Sequence, residues 1–186
     1  MIGGGLLGLH VPLVAAACVS AAAAVIDWRT GEIPNRLSLG VLGASLAYHL
    51  VAGFSHDPGS LGMRELVWAI GGALACGVVP FVFWTRGAFG GGDVKMLAAL
   101  GALLLPLWGI EAEFYSLMAA AILAPARLAW DGKLLKVLWN ALMLLVNPLL
   151  PKSRRREVAP EAMTTVRFGP AIFAGTALTA LLHWRS

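Results

Sequence analysis

Two acids stand where an acid is costly. Asp27 closes an apolar run that begins near Leu6, and Asp93 opens another that continues to Trp108. An ionisable residue at the edge of a membrane helix is a functional hypothesis by default. Asp93 lies in Phe89-Gly90-Gly91-Gly92-Asp93-Val94-Lys95. The glycines before it carry no Cβ, which lets backbone or ligand approach and admits positive φ. A plain N-cap for a helix whose first turn is Val94-Lys95-Met96 accounts for Asp93 as well. If the two acids meet, they share a proton, because two carboxylates a few ångströms apart do not both ionise easily. The ionised one takes a proton from water, and the protonated one donates to the scissile carbonyl oxygen or the leaving amine. That is peptide hydrolysis without metal or covalent intermediate.

No other hydrolytic apparatus is visible. The chain has no GxSxG and no HExxH, and its Ser and Cys residues have no obvious neighbouring base. His10, His49, His56 and His183 show no ligand spacing, so neither a metal nor a cofactor is expected. Cys18 and Cys76 lie far apart inside apolar runs and form no CxxC, so both read as small packing residues. After Asp27 the chain reads Trp28-Arg29-Thr30-Gly31-Glu32-Ile33-Pro34-Asn35. Pro34 restricts Ile33 to extended backbone. Asn35 suits the cap of the next helix, and the resulting turn would pin Asp27. A plain loop before a helix explains Pro34 and Asn35 equally well.

The elements that must position these groups are membrane helices. The chain has 186 residues, is 59% hydrophobic and only 13% charged, which places it outside the soluble globular class. Spanning takes about 20 mostly apolar residues. Six runs qualify, at about 6–26, 37–54, 66–84, 94–108, 114–130 and 168–184, with Pro125 as the expected kink of the fifth. Every tryptophan except Trp139 falls at the end of a run, as an interfacial aromatic belt requires. Ala15-Ala16-Ala17-Cys18 resembles a cleavage region, but no basic residue precedes it, so the first run reads as a retained helix.

The run 134–150 is interrupted by Lys136, Asn140 and Asn147. If it does not cross and the N-terminus is outside, only Arg64 and Arg185 of the fourteen Lys and Arg residues fall outside. If it crosses, the cluster Lys152-Ser153-Arg154-Arg155-Arg156 is stranded there, which the positive-inside rule disfavours. The expectation is an all-α, polytopic, single-domain protein spanning residues 1–186. It has six transmembrane helices, one interfacial or re-entrant cytoplasmic helix at 134–150, and a basic cytoplasmic loop at 151–167 that touches anionic lipid. Asp27 and Asp93 then share the inner face. Basic residues beside apolar runs, without interleaved exposed aromatics, exclude a nucleic-acid partner.

At this point the residues carry a resemblance. Asp27 followed by Ile33-Pro34-Asn35 resembles the D-x5-I-P-N motif of the type IV prepilin peptidases, and Gly90-Gly91-Gly92-Asp93-Val94-Lys95 resembles their G-x-G-D-x-K motif. Arg167-Phe168-Gly169-Pro170 is similar to their P-F-G-P segment, with Arg167 where proline is usual. The resemblance implies a GxGD-type aspartic membrane protease that removes the basic leader of type IV or Flp-type prepilins at the cytoplasmic face of the bacterial inner membrane. Asp27 and Asp93 would be catalytic. Gly90, Gly92, Lys95, Ile33, Pro34 and Asn35 would form the active-site loops and bind substrate. The absence of paired CxxC motifs and a start directly at the first helix resemble the short, peptidase-only type of Flp or tight-adherence pili, without N-methylation. Two alternatives differ in kind. One is another GxGD protease, such as a preflagellin-peptidase-like enzyme. The other is a non-enzymatic transporter or assembly protein, in which the two acids carry protons or pair with Lys95 and Arg29.

Overall fold

The computed structural model describes residues 6–56, 61–87, 89–130, 132, 135, 138–139 and 167–184. All regular structure among them is α-helical: α1 Leu6–Thr30, α2 Asn35–His56, α3 Leu61–Thr85, α4 Gly91–Trp130 and α5 Gly169–Leu182. The first four are long and apolar enough to cross a membrane, and α5, at 14 residues, is shorter. The chain forms two compact units, 1–119 with 167–186, and 120–166. Of the second, α4 is described as far as Trp130. The expected interfacial segment 134–150 and the basic stretch after it lie outside the described residues, apart from Leu135, Leu138, Trp139 and Arg167.

Among the described residues a count of six spanning helices is not confirmed. The runs expected at 94–108 and 114–130 belong to one element, α4, which has 40 residues. A straight helix of that length would be about 60 Å long, twice a hydrocarbon core. It is not straight. Leu105 has φ 62° and ψ 169°, the one non-helical residue inside it. A Cβ on Gly109 would fall 2.9 Å from the Gly101 Cα, whereas residues eight apart in a straight helix are about 12 Å apart. The arm Gly91–Leu104 therefore turns back at Leu105, and the arm from Pro106 returns beside it. The break between the two runs sits just before Pro106. Proline removes a helical N–H and excludes its predecessor from α geometry.

Small residues let the helices approach closely, as membrane packing requires. A Cβ on Gly72 or Gly101 would strike the other's carbonyl oxygen, and one on Gly175 would strike Ser116 of the returning arm. Cys76, buried, packs against Gly101 and Gly109, in line with its reading as a packing residue. α1 packs along α5 in antiparallel sense: His10 Nε2 donates to the Trp184 carbonyl at one end, and Asp27 meets Gly169 at the other. At the turn of α4, the freed Leu103 carbonyl accepts a 3.0 Å hydrogen bond from Nε2 of buried His49 on α2. Non-helical backbone at membrane depth needs such a partner.

Candidate functional site

α1 ends one turn beyond Asp27. Gly31, at φ 80°, takes the left-handed conformation that closes many helices, and its N–H bonds the Asp27 carbonyl at 2.8 Å. The Asp27 side chain is only 3% exposed. Its Oδ2 accepts a buried 2.8 Å hydrogen bond from the Gly169 N–H at the start of α5. Gly169 has to be glycine, since a Cβ there would lie 2.7 Å from the Asp27 Cβ. Arg167, two residues earlier, donates to the Trp28 carbonyl and lies over the Trp28 ring.

α4 starts at Gly91, earlier than expected, so Asp93 is its third residue rather than its cap. The Asp93 Oδ2 reaches back to accept from the Gly90 N–H at 3.2 Å. That is half of a capping box, so Asp93 does serve its helix start. It also lies within electrostatic range of Asp27, so the capping role does not exclude a pairing of the two acids. The structure thus brings into one site two residues from chain segments far apart in sequence.

The remaining motif residues meet there too. Gly92 takes no positive φ, contrary to one reason for placing glycine there. Its need is space: a Cβ would fall 2.6 Å from the carbonyl oxygen of Ile33, which is buried. The close neighbour is the chain's own Ile33 backbone. Asn35 begins α2, and the Pro34 carbonyl accepts from the N–H groups of Leu37 and Ser38. The Asn35 side chain is not the cap that was expected. Its Oδ1 accepts a 2.8 Å hydrogen bond from Lys95 Nζ. The turn after Asp27 is therefore tied to the first turn of α4 at two points, Ile33 on Gly92 and Asn35 on Lys95. Gly90 supplies the amide bound by Asp93, and a Cβ on it would lie 2.9 Å from the Asp93 Oδ2. Among the described residues neither acid forms an ion pair with Lys95 or Arg29, one of the two roles the non-enzymatic alternative offered them.

Reading by spacing missed several groups. Phe168 bridges to the glycine loop by an edge-to-face contact with Phe89, ring centroids 4.5 Å apart. Glu113 is 5% exposed and hydrogen-bonds the Cys76 thiol, while its Oε1 has no protein partner among the described residues. At the other end of α5, His183 Nε2 donates to Glu111 Oε2 at 2.7 Å and stacks on Trp108. Among the described residues no group of three or more His, Cys, Asp or Glu is placed to hold a metal ion.

Two helix ends, a buried acid, a second acid on a glycine start and a seated Ile-Pro-Asn turn lie together at one end of the larger unit. No curated protein and no solved structure gives a significant match to this chain. The model of the type IV leader peptidase family matches residues 14–125, which hold both acids and both loops. This chain is a membrane peptidase that belongs to the type IV leader peptidase family.

Proposed function

We propose that this protein is an aspartic endopeptidase of the bacterial inner membrane. It cuts the basic leader from type IV or Flp-type prepilins at the cytoplasmic face, with Asp27 and Asp93 as its catalytic pair. The observation that carries this reading is the meeting of the two acids, each fixed by a backbone N–H and joined through the Ile33–Gly92 and Asn35–Lys95 contacts. One proton shared between the carboxyls lets one act on water and the other on the peptide. Gly90, Gly92, Lys95, Ile33, Pro34 and Asn35 hold the two loops in register and border the space a peptide would enter. No cofactor is needed for this chemistry. The family supports a prepilin substrate, and the absence of paired CxxC motifs supports the Flp type.

The test is the mass of a co-expressed Flp-type prepilin in membranes carrying each variant at matched abundance. Asp27→Asn and Asp93→Asn keep shape but cannot exchange the proton. Each alone should abolish leader removal, and the double variant should add little, because the pair works as a unit. Cleavage by Asp93→Asn at near the parent rate would reduce Asp93 to a helix-start residue. The same spectrum shows whether the new N-terminus gains a methyl group.

A further inference from the structure

Resting on the two-aspartate reading, we infer that α5 makes the two carboxyls unequal. The Gly169 N–H holds Asp27 as the carboxylate that takes the proton from water, and Asp93 carries the proton that goes to the scissile carbonyl.

The start of α5 leaves a single donor for this task. Its N-cap residue, Phe168, makes no side-chain cap bond. Pro170 has no N–H. The N–H groups of Ala171 and Ile172 return to the Phe168 carbonyl at 3.0 and 3.1 Å. The Gly169 N–H remains, and it goes to Asp27 Oδ2 at 2.8 Å in a buried setting. Asp27 thus caps a helix 142 residues away in the chain. A helix N-terminus carries a partial positive charge that favours an anion. Burial strengthens the bond, because little water competes or screens. Asp93 also accepts an amide, from Gly90, but that bond is 3.2 Å long and exposed. Shorter bonds mark the charge-assisted kind. The hydrogen-bond geometry therefore favours Asp27 as the base of the pair.

The reaction balances on this assignment. The water oxygen bonds to the carbonyl carbon, the water proton passes to Asp27, and the Asp93 proton passes to the carbonyl oxygen, giving a neutral gem-diol. The C–N bond then breaks. The Asp27 proton goes to the leaving nitrogen, and a gem-diol hydroxyl proton returns to Asp93. The products are a carboxylic acid and an amine, and both aspartates regain their starting states. Gly169 touches Asp27 and not the substrate, so it is a positioning residue.

The test removes the donor, and a control accounts for the weakening of the Phe168 carbonyl as acceptor that comes with it. The full chain is made with an ester oxygen in place of the Gly169 N–H, and kcat for prepilin cleavage is followed against pH in membranes. A carboxylate that loses a donor takes up protons more readily. The acid limb should therefore move to higher pH, with roughly ten-fold lower kcat on that limb, while the alkaline limb stays in place. The position of a limb does not depend on how much protein accumulates. An ester in place of the Ala171 N–H is the structural control. It removes a bond to the Phe168 carbonyl and keeps the Gly169 N–H, so it should leave both limbs where they are. If the Gly169 ester leaves the acid limb unmoved, or if the Ala171 ester moves it equally, the assignment is wrong. If the aspartate variants above still cleave, it is the two-aspartate reading that fails.

Discussion

At the scale of single residues, the site depends on side chains that are absent as much as on those present. Gly169 and Gly92 each face backbone or carboxyl atoms at distances no Cβ tolerates. For Gly92 the obstacle is the Ile33 carbonyl at 2.6 Å and its Cβ at 3.1 Å. Backbone there cannot yield as a flexible side-chain end would, so Gly92→Ala should already push apart the loops that carry Asp27 and Asp93. Forced overpacking costs about 1–3 kcal/mol. A displacement near 1 Å at a catalytic group costs on the order of a hundred-fold in rate. Gly92→Ala should therefore lose most cleavage at normal abundance, and Gly92→Val all of it, measured by the prepilin mass shift. Full activity in Gly92→Val would mean that the Ile33 contact does not set the spacing of the acids. The motif residues were legible in the sequence because acids are rare in apolar runs and glycines cluster rarely before one. The Gly169 bond was not, because only folding reveals which chain segment an amide faces.

At the scale of elements, the reversal inside α4 matters most, since it sets the depth at which the arm carrying Asp93 ends. The sequence shows two apolar runs there, but not where they part. Pro125 reads as a kink within the fifth run and says nothing of where the fourth ends. What decides is tertiary: Gly101, Gly109 and Cys76 can nest only if the chain turns at Leu105. The turn leaves Leu103 with a freed carbonyl, and His49 answers it from α2. The carbonyl can only accept, so His49 Nε2 carries the hydrogen. That explains a buried histidine for which spacing gave no role. Leaving the carbonyl bare costs about 1–3 kcal/mol. His49→Leu should lower the thermal unfolding midpoint in detergent by roughly 2–12 °C, and His49→Gln, whose amide reaches as far, should recover much of it. Equal midpoints for His49→Leu and the parent would remove this role.

At the scale of the whole molecule, the helices sort their charges by end, which predicts how the protein sits in its membrane. Within the larger unit, the end bearing Asp27 and Asp93 carries Arg29, Arg36, Arg86, Lys95 and Arg167. The opposite end has, among the described residues of that unit, the cation Arg64, alongside Glu65 and the Glu111–His183 pair. Two pieces of geometry fix which residues share an end. α1 and α5 run antiparallel from His10–Trp184 to Asp27–Gly169. α3 runs antiparallel to the first arm of α4, with Gly72 on Gly101 and Gly77 against Ala98. The positive-inside rule then predicts that the aspartate end faces the cytoplasm. That is also where a basic leader, itself retained inside by its charge, would wait. Glu32→Cys, exposed in the turn after α1, and Met63→Cys, exposed near the start of α3, report on the two ends. Cys18→Ala removes the exposed native thiol, and Cys76 stays because it is buried. A membrane-impermeant maleimide added to intact cells should label Met63→Cys and spare Glu32→Cys, and inverted vesicles should reverse the pattern. Labelling of Glu32→Cys in intact cells would put the aspartates on the outer face and remove the cytoplasmic cleavage of prepilins from the account.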